Sequence, residues 1–301
     1  MYDIIIVGGG PAGLTAAVYA KRANKSVLVI EKSVFGGQIT FSPKVENIPG
    51  FSALSGNEFA EKMVDQTLGL EADFEMSEVT AIKNGGDTKT VVTTDGEFEA
   101  KAVIIATGAK HRLLGLEKED RFVGDGISFC AVCDGAFYKD KTVGVVGGGN
   151  SALQEAILLA DTVKKLYVIQ NLDFLTGEQK LQDILLSKPN VEVILGTTVA
   201  AYLGEDEFAG VRVKTERDGS TKDIALDGLF LAVGLVPQNE PFASLLPLDE
   251  RGYAKADENC VIGDGIFVAG DCRVKKIRQV TTAAADGAIA ALAACDYIDK
   301  K

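Results

Sequence analysis

Residues 2–13, YDIIIVGGGPAG, join an apolar run to a glycine-rich turn. The run predicts a strand buried on both faces, and the small-residue segment LTAAVYAKRA that follows the turn predicts a helix. A second apolar run, SVLVIE, ends at Glu31. This order of strand, GxGxxG turn, helix, strand and acid predicts a Rossmann unit. Its glycines let the backbone approach a pyrophosphate, and its acid binds a ribose.

The same pattern recurs in residues 141–170, KTVGVVGGGNSALQEAILLADTVKKLYVIQ. Ala152 replaces the third glycine, an accepted variant because only close packing of helix against strand is needed there. Gln170 follows Gly147 by 23 positions, as Glu31 follows Gly8. Gln170 therefore takes the ribose-reading position of a second dinucleotide site.

The residues around this second ribose position indicate which nucleotide binds. An acid there favours the free 2′-hydroxyl of NAD, and nearby arginines favour the 2′-phosphate of NADP. Gln170 is not an acid, and no arginine lies near it, since none occurs between Arg121 and Arg212. A glutamine can still hydrogen-bond a hydroxyl, and Asp173 lies close in sequence. We expect a nicotinamide nucleotide at this turn, with NADH favoured over NADPH.

Further segments predict how the chain is divided. Residues 266–287, IFVAGDCRVKKIRQVTTAAADG, predict a strand, Gly270-Asp271 and a helix. Such an aspartate binds FAD in two-dinucleotide flavoproteins, and helix capping is its alternative role. VIIATGA (103–109) and LFLAVGLVPQN (229–239) each predict a strand and turn that close a lobe. We expect an α/β fold of two Rossmann-like domains: an FAD-binding domain (1–109 and 236–301) interrupted by an NAD(P)-binding domain (110–235).

Cys130 and Cys133 form a CxxC pair that is followed by Asp134. Structural zinc needs two more ligands, but His111 is the only histidine and the other cysteines have no paired spacing. Haem attachment needs a histidine where Asp134 stands. A buried, inert pair and a redox dithiol stay open. The dithiol is favoured because an adjacent acid can handle the proton of thiol-disulfide exchange.

Composition excludes several classes of protein. The 301-residue chain has a net charge of −12 and a pI near 4.7, so it repels nucleic acid and anionic membrane surfaces. No apolar run reaches the roughly 18 residues of a membrane span. The first residues read as a strand and lack the basic region of a signal peptide. We expect a cytoplasmic protein that contains no metal.

Segments along nearly the whole chain resemble the low-molecular-weight bacterial-type thioredoxin reductases. They are FGGQITFSPKVENIPGF (35–51), FCAVCDG (129–135), GGGNSALQEA (147–156) and GDCRVKKIRQVTTAAADG (270–287). The resemblance implies a homodimeric thioredoxin-disulfide reductase that contains FAD and reduces thioredoxin or a thioredoxin-like protein. The residues implied to bind FAD are Gly8, Gly10, Pro11, Ala12, Glu31, Gly37, Gln38, Asn47, Ala106, Thr107, Gly108, Gly270, Asp271, Arg278, Gln279 and Val280.

The resemblance also implies roles in the reaction. Electrons pass from the nicotinamide to the flavin and then to the cysteine pair. Cys133 is the thiol nearer the flavin, Cys130 attacks the partner's disulfide, and Asp134 protonates a thiolate. The residues implied to bind the nicotinamide nucleotide are Gly147, Gly149, Asn150, Ser151, Ala152 and Gln170.

The chain departs from the family where NADPH-dependent members carry a His-Arg-Arg run, since residues 170–174 are QNLDF. This departure supports the preference for NADH. The alternatives are a reductase that takes electrons from ferredoxin and a flavin-binding redox sensor with little turnover. We also expect the inserted domain to move about crossovers near residues 108–112 and 234–238.

Overall fold

The computed structural model describes residues 1–42 and 45–301, apart from the side chain of Phe41. Pro43 and Lys44, within the predicted flavin-contacting segment 35–51, lie outside the described residues. The described chain forms two compact units. One comprises Met1–Lys110 and Val236–Lys301, and the other His111–Leu235.

The strands are β1 (Tyr2–Val7), β2 (Val27–Glu31), β3 (Asp73–Met76), β4 (Val79–Gly85), β5 (Thr88–Thr93), β6 (Glu97–Ile105), β7 (Ala109–His111), β8 (Ile127–Ser128), β9 (Thr142–Val146), β10 (Lys165–Ile169), β11 (Val191–Ile194), β12 (Thr197–Leu203), β13 (Gly210–Thr215), β14 (Thr221–Ala225), β15 (Gly228–Leu231), β16 (Leu235–Pro237), β17 (Val261–Gly263) and β18 (Ile266–Val268). The α-helices are α1 (Pro11–Arg22), α2 (Gly56–Leu68), α3 (Glu119–Phe122), α4 (Ala131–Asp134), α5 (Asn150–Ala160), α6 (Gln179–Leu186) and α7 (Val280–Asp299). Short 3-10 helices occur at Gly37–Phe41, Gly135–Tyr138, Glu240–Phe242 and Gly270–Cys272.

The first unit is built on a sheet with the strand order β17-β18-β6-β1-β2-β3. Strands β18, β6, β1, β2 and β3 are parallel, and the antiparallel hairpin β4-β5 joins the sheet through β6. The IIIV run of β1 is buried on both faces, which explains its uninterrupted apolar sequence. This arrangement brings the carboxyl ends of β1, β2, β6 and β18 to one edge, where an open α/β sheet binds its ligand.

Helices α1 and α7 pack on this sheet with their backbones close together. A Cβ atom placed on Gly287 of α7 would lie 2.1 Å from the carbonyl oxygen of Ala12 in α1, so no side chain fits there. Alanines of both helices are buried in the same core. The close approach therefore depends on small residues, which the sequence supplies in both segments.

A buried ion network fixes the segment that leads into α7. The carboxylate of Asp286 accepts hydrogen bonds from the Arg273 guanidinium (2.9 Å), the Lys275 ammonium (2.8 Å) and the Gly270 amide (3.1 Å). The three charged side chains are about nine-tenths buried. Because the network holds the Gly270 amide, it sets the backbone next to Asp271.

The second unit has a parallel sheet in the order β11-β10-β9-β15-β8 and an antiparallel sheet in the order β12-β13-β14. Parallel sheets in both units confirm the predicted α/β fold class. Strands β7 and β16, where the chain passes between the units, pair with each other. Among residues 1–42 and 45–301, no helix is long and apolar enough to span a bilayer.

Candidate functional site

The two glycine-rich turns have the same backbone geometry. Gly8 has φ +110° and its amide donates to the Ile30 carbonyl at 2.8 Å; Gly147 has φ +129° and its amide donates to the Ile169 carbonyl at 2.9 Å. Gly10 and Gly149 are the N-caps of α1 and α5, and both are extended. The sequence repeat is therefore also a structural repeat.

Close approach explains why the first glycine of each turn has no side chain. A Cβ atom on Gly8 would lie 2.3 Å from the Ala106 carbonyl oxygen, and one on Gly147 would lie 2.5 Å from the Ala232 carbonyl oxygen. A Cβ atom on Gly10 would meet only atoms of Gly36 and Gly37, at about the limit of contact. Neither α1 nor α5 has a side-chain cap or a first-turn acid within the described part of the chain. Both helix N-termini can therefore accept an anion.

The residues at the ends of β2 and β10 lie beneath the middle glycines. Glu31 accepts hydrogen bonds from the Gly9 amide (2.8 Å) and the Ser33 amide (2.9 Å). Gln170 is 5% exposed, and its side-chain amide donates to the Phe174 carbonyl at 3.3 Å. The first turn thus presents an anchored carboxylate, whereas the second holds a buried, neutral amide.

Asp271 lies beside the N-terminus of α1. A Cβ atom on its neighbour Gly270 would be 2.8 Å from the Ala12 Cβ. Oδ1 of Asp271 is buried and has no hydrogen-bond partner among the described residues. Burial raises the pKa of this carboxyl, while Lys275 and Arg278 oppose the shift. A buried acceptor without a partner fits a ligand that supplies a hydroxyl donor, as the ribityl chain of FAD does.

A cavity of about 530 Å³ opens at the carboxyl ends of β1 and β2 in the same unit. Its lining includes Gly8, Glu31, Ser77, Thr107 and Gln238. The uncapped α1, the Glu31 carboxylate and the unpartnered Asp271 oxygen lie in this unit, so its residues fit a dinucleotide such as FAD.

The other residues expected at this site have defined neighbours. The side-chain amide of Gln38 donates to the Ala109 carbonyl, and that of Asn47 donates to Oε1 of Gln279 at 3.0 Å. Gln279 also caps α7, which begins at Val280. The Arg278 guanidinium lies 4.2 Å from the centre of the Tyr253 ring.

Cys130 and Cys133 form a disulfide with a Cα–Cα distance of 5.3 Å. Sγ of Cys130 accepts a hydrogen bond from the Cys133 amide at 3.2 Å, at the start of α4. The Ser128 hydroxyl accepts from the Cys130 amide at 3.1 Å and donates to Oδ2 of Asp134. One hydroxyl thus connects the backbone of the cysteine pair to the adjacent acid.

Asp134 is partly buried, and one of its carboxyl oxygens is buried and unsatisfied. Its Oδ1 has no hydrogen-bond partner among residues 1–42 and 45–301. Burial raises the pKa of Asp134, and the hydrogen bond from Ser128 opposes the shift. A carboxyl that retains its proton more strongly than usual is suited to donate that proton to a thiolate.

Sequence reasoning missed Glu155, which lies on α5 near Asp134. Oε2 of Glu155 is buried without a partner in the described chain. Burial, and then the Asp134 carboxylate, raises the pKa of Glu155 to about 8. The signal in the sequence was an acid within the GGGNSALQEA segment, but only the packing of α4 on α5 reveals its neighbour.

The second turn brings together several of the residues expected to bind a nicotinamide nucleotide. Oδ1 of Asn150 accepts from the Glu178 amide at 2.7 Å, and its side-chain amide donates to Glu178 Oε1 at 3.0 Å. Ser151 is exposed and Ala152 is buried against the sheet. The amides of Thr176 and Gly177 donate to the Gly148 carbonyl, so residues 176–177 fold back over the turn.

The remaining cysteines and the histidine lie in apolar surroundings. Cys260, Cys272 and Cys295 are buried thiols, and burial raises the pKa of Cys260 and of Cys272 to about 11. His111 stacks on Phe129 at 4.5 Å, and burial lowers its pKa to about 4. No group of His, Cys, Asp and Glu residues that could hold a metal occurs in the described part of the chain.

Two similar glycine-rich turns and a disulfide beside a partly buried acid are features of a nucleotide-linked disulfide oxidoreductase. Comparison with known proteins agrees: residues 2–287 match the family model "Pyridine nucleotide-disulphide oxidoreductase". The thioredoxin reductase of Listeria innocua is 40% identical over 302 aligned positions, covering 100% of this chain and 95% of the relative. That of Treponema pallidum is 41% identical, covering 99% and 97%.

A solved structure gives the same result. The thioredoxin reductase of Streptococcus pyogenes has a TM-score of 0.88 and 40% identity, covering 100% of this chain and 99% of the other. The chain belongs to the pyridine nucleotide-disulphide oxidoreductases and, within them, to the thioredoxin reductases. It is a flavoprotein oxidoreductase, as the sequence predicts.

Proposed function

We propose that the protein reduces the disulfide of thioredoxin or a thioredoxin-like protein through Cys130 and Cys133, with FAD as its bound cofactor and NADH as electron donor. The observation that carries the proposal is the Cys130–Cys133 disulfide beside Asp134, whose Oδ1 is buried without a partner in the described chain. Cys130 attacks the partner's disulfide, Cys133 receives the electrons, and Asp134 donates the proton that a departing thiolate needs.

The first unit holds the FAD in this proposal. The N-terminus of α1 faces the pyrophosphate, Glu31 accepts from a ribose, and Asp271 accepts from the ribityl chain or lies near the pyrophosphate. When bound, FAD supplies the two-electron chemistry between nicotinamide and disulfide. The other FAD-binding residues are Gly8, Gly10, Pro11, Ala12, Gly37, Gln38, Asn47, Ala106, Thr107, Gly108, Gly270, Arg278, Gln279 and Val280.

The preference for NADH rests on charges around the second turn. Residues 171–179 contain no lysine or arginine and include the exposed acids Asp173 and Glu178. Two arginines of this unit are engaged elsewhere: Arg212 pairs with Asp223 at 2.7 Å, and Arg121 pairs with Asp206 at 2.5 Å. A 2′-phosphate would meet acids where it needs cations, whereas a free ribose hydroxyl can donate to them.

The turn itself binds the nucleotide without side-chain charge. Gly147 and Gly149 let the pyrophosphate approach, Ser151 offers a hydroxyl beside the start of α5, and Asn150 and Ala152 shape the turn. Because Gln170 is buried, we assign it the role of supporting the Gly148 backbone. Asp173 is then the hydrogen-bond acceptor for the ribose hydroxyl. The resemblance also implies a homodimer, which sedimentation equilibrium would test.

Anaerobic mixing of the FAD-loaded protein with each donor tests the proposal. We expect NADH to bleach the flavin absorption faster than NADPH does, and reduced ferredoxin to have no effect. Bleaching by ferredoxin alone would instead identify the ferredoxin-dependent alternative.

The matched variant is Cys130→Ser. It should keep flavin reduction by NADH and lose reduction of a thioredoxin disulfide. If the flavin of the wild-type protein bleaches but no disulfide substrate is reduced, the result would favour the alternative of a flavin-binding redox sensor.

A further inference from the structure

Two partly buried carboxyls, those of Asp134 and Glu155, lie on helices that pack against each other. Oδ1 of Asp134 and Oε2 of Glu155 are both buried and lack hydrogen-bond partners among the described residues. Helix α4, which carries Asp134, packs on α5, which carries Glu155. The two groups lie within electrostatic range of each other. Ionising both of two neighbouring carboxyls that are shielded from water is energetically unfavourable, so the pair retains a proton.

The groups around the pair do not neutralise it. Tyr138, in the 3-10 helix packed against α4, is an acid whose pKa is raised by burial and then by Asp134 and Asp125. Strand β9 carries no titratable residue. On β10, Lys165 is ion-paired with Glu192 at 2.9 Å. On α6, Lys180 and Asp183 are exposed. Two carboxyl oxygens are therefore buried on packed helices without a cation beside them in the described chain.

We propose that Glu155 is a positioning residue that shares one proton with Asp134 and returns a proton to Asp134 after Asp134 has protonated a cysteine thiolate. This inference rests on the proposed function. It assigns to α5, the helix that follows the nucleotide turn, a second role in the chemistry of the disulfide.

The proton count of the reaction requires such a source. Reduction breaks the Cys130–Cys133 S–S bond and adds two electrons and two protons to make two thiols. A hydride from the nicotinamide donor accounts for both electrons and one proton. The second proton comes from Asp134, Glu155 passes its proton to Asp134, and solvent restores the pair.

Infrared titration of the oxidised full-length protein tests the shared proton without turnover. Wild-type protein should show a carboxylic acid C=O band that disappears with an apparent pKa of about 8. Glu155→Gln should lose this step, and Asp134→Asn should move it to lower pH because the neighbouring charge is gone. The control, Glu192→Gln, removes an exposed acid of the same unit and should leave the step unchanged.

Single-turnover reduction of the disulfide gives the second readout. In Glu155→Gln the rate at pH 8 should fall about tenfold, because residue 155 can no longer return a proton to Asp134. The difference should vanish as the pH is lowered. A rate lowered equally at all pH values, or an unchanged infrared step, would overturn the inference.

The two levels of proposal fail separately. If Cys130→Ser still reduces a thioredoxin disulfide, the proposed function is wrong whatever Glu155 does. If Cys130→Ser is inactive and Glu155→Gln matches wild type in both readouts, only the role of Glu155 is wrong.

Discussion

Gln170 lies beneath Gly148 in the place where Glu31 lies beneath Gly9. A Cβ atom on Gly148 would be 2.6 Å from Cδ of Gln170, and one on Gly9 would be 3.0 Å from Cβ of Glu31. The same backbone therefore surrounds a carboxylate in one turn and a neutral amide in the other. We therefore expect the exposed residues that follow Gln170 to set the nucleotide specificity of the second turn.

The double variant Asn171→Arg with Thr176→Arg should raise kcat/KM for NADPH about tenfold, because a charge-assisted hydrogen bond to a phosphate contributes about 1.5–3 kcal/mol. Both positions are exposed beside the second turn. Steady-state kinetics with each nucleotide measure the effect. The control, Ser187→Arg with Ser220→Arg, adds the same charge at two other exposed positions of this unit. An equal NADPH-to-NADH ratio in the two double variants would refute the prediction.

Asp271→Asn should weaken FAD binding about tenfold or more, since it removes the charge of a buried acceptor while keeping its shape. Flavin fluorescence released on dialysis measures the affinity. Asp296→Asn, an exposed residue of α7, serves as the control and should retain flavin as wild type does. Equal retention in both variants would exclude Asp271 from the flavin site.

Glu155 should make folding stability fall as pH rises. Its pKa is about 8 in the folded protein against an ordinary 4.5, so the folded state binds the proton more tightly. The contribution of protonated Glu155 to folding stability is fully present below a pH of about 4.5, and it is lost as the pH rises to about 8. Urea unfolding at several pH values should show wild type losing stability relative to Glu155→Gln across this window. A pH-independent difference would contradict the assignment.

Asp286→Ala should lower the free energy of unfolding by about 3–5 kcal/mol, because it leaves two buried cations without their partner. Urea unfolding monitored by circular dichroism measures this loss. Lys300→Ala removes an exposed ion pair with Asp296 and should change stability little. If the two variants unfold alike, the buried network does not stabilise the fold.

Local sequence patterns predicted the two glycine-rich turns, whereas the other features depend on long-range packing. The glycine turns could be read directly because φ angles and close approaches near Gly8 and Gly147 restrict residue type locally. The Asp134–Glu155 pair could not, because it depends on how α4 docks on α5. The burial of Gln170 likewise depends on residues 174–177 folding back over Gly148, which no periodicity encodes.

The contact between α1 and α7 affects the order in which the protein can fold during synthesis. Helix α1 is complete at Arg22, but its partner surface on α7 ends at Asp299. The unit formed by His111–Leu235 is continuous and can fold while the chain is still being made. Helix α1 can therefore complete its packing only after α7 has been synthesised.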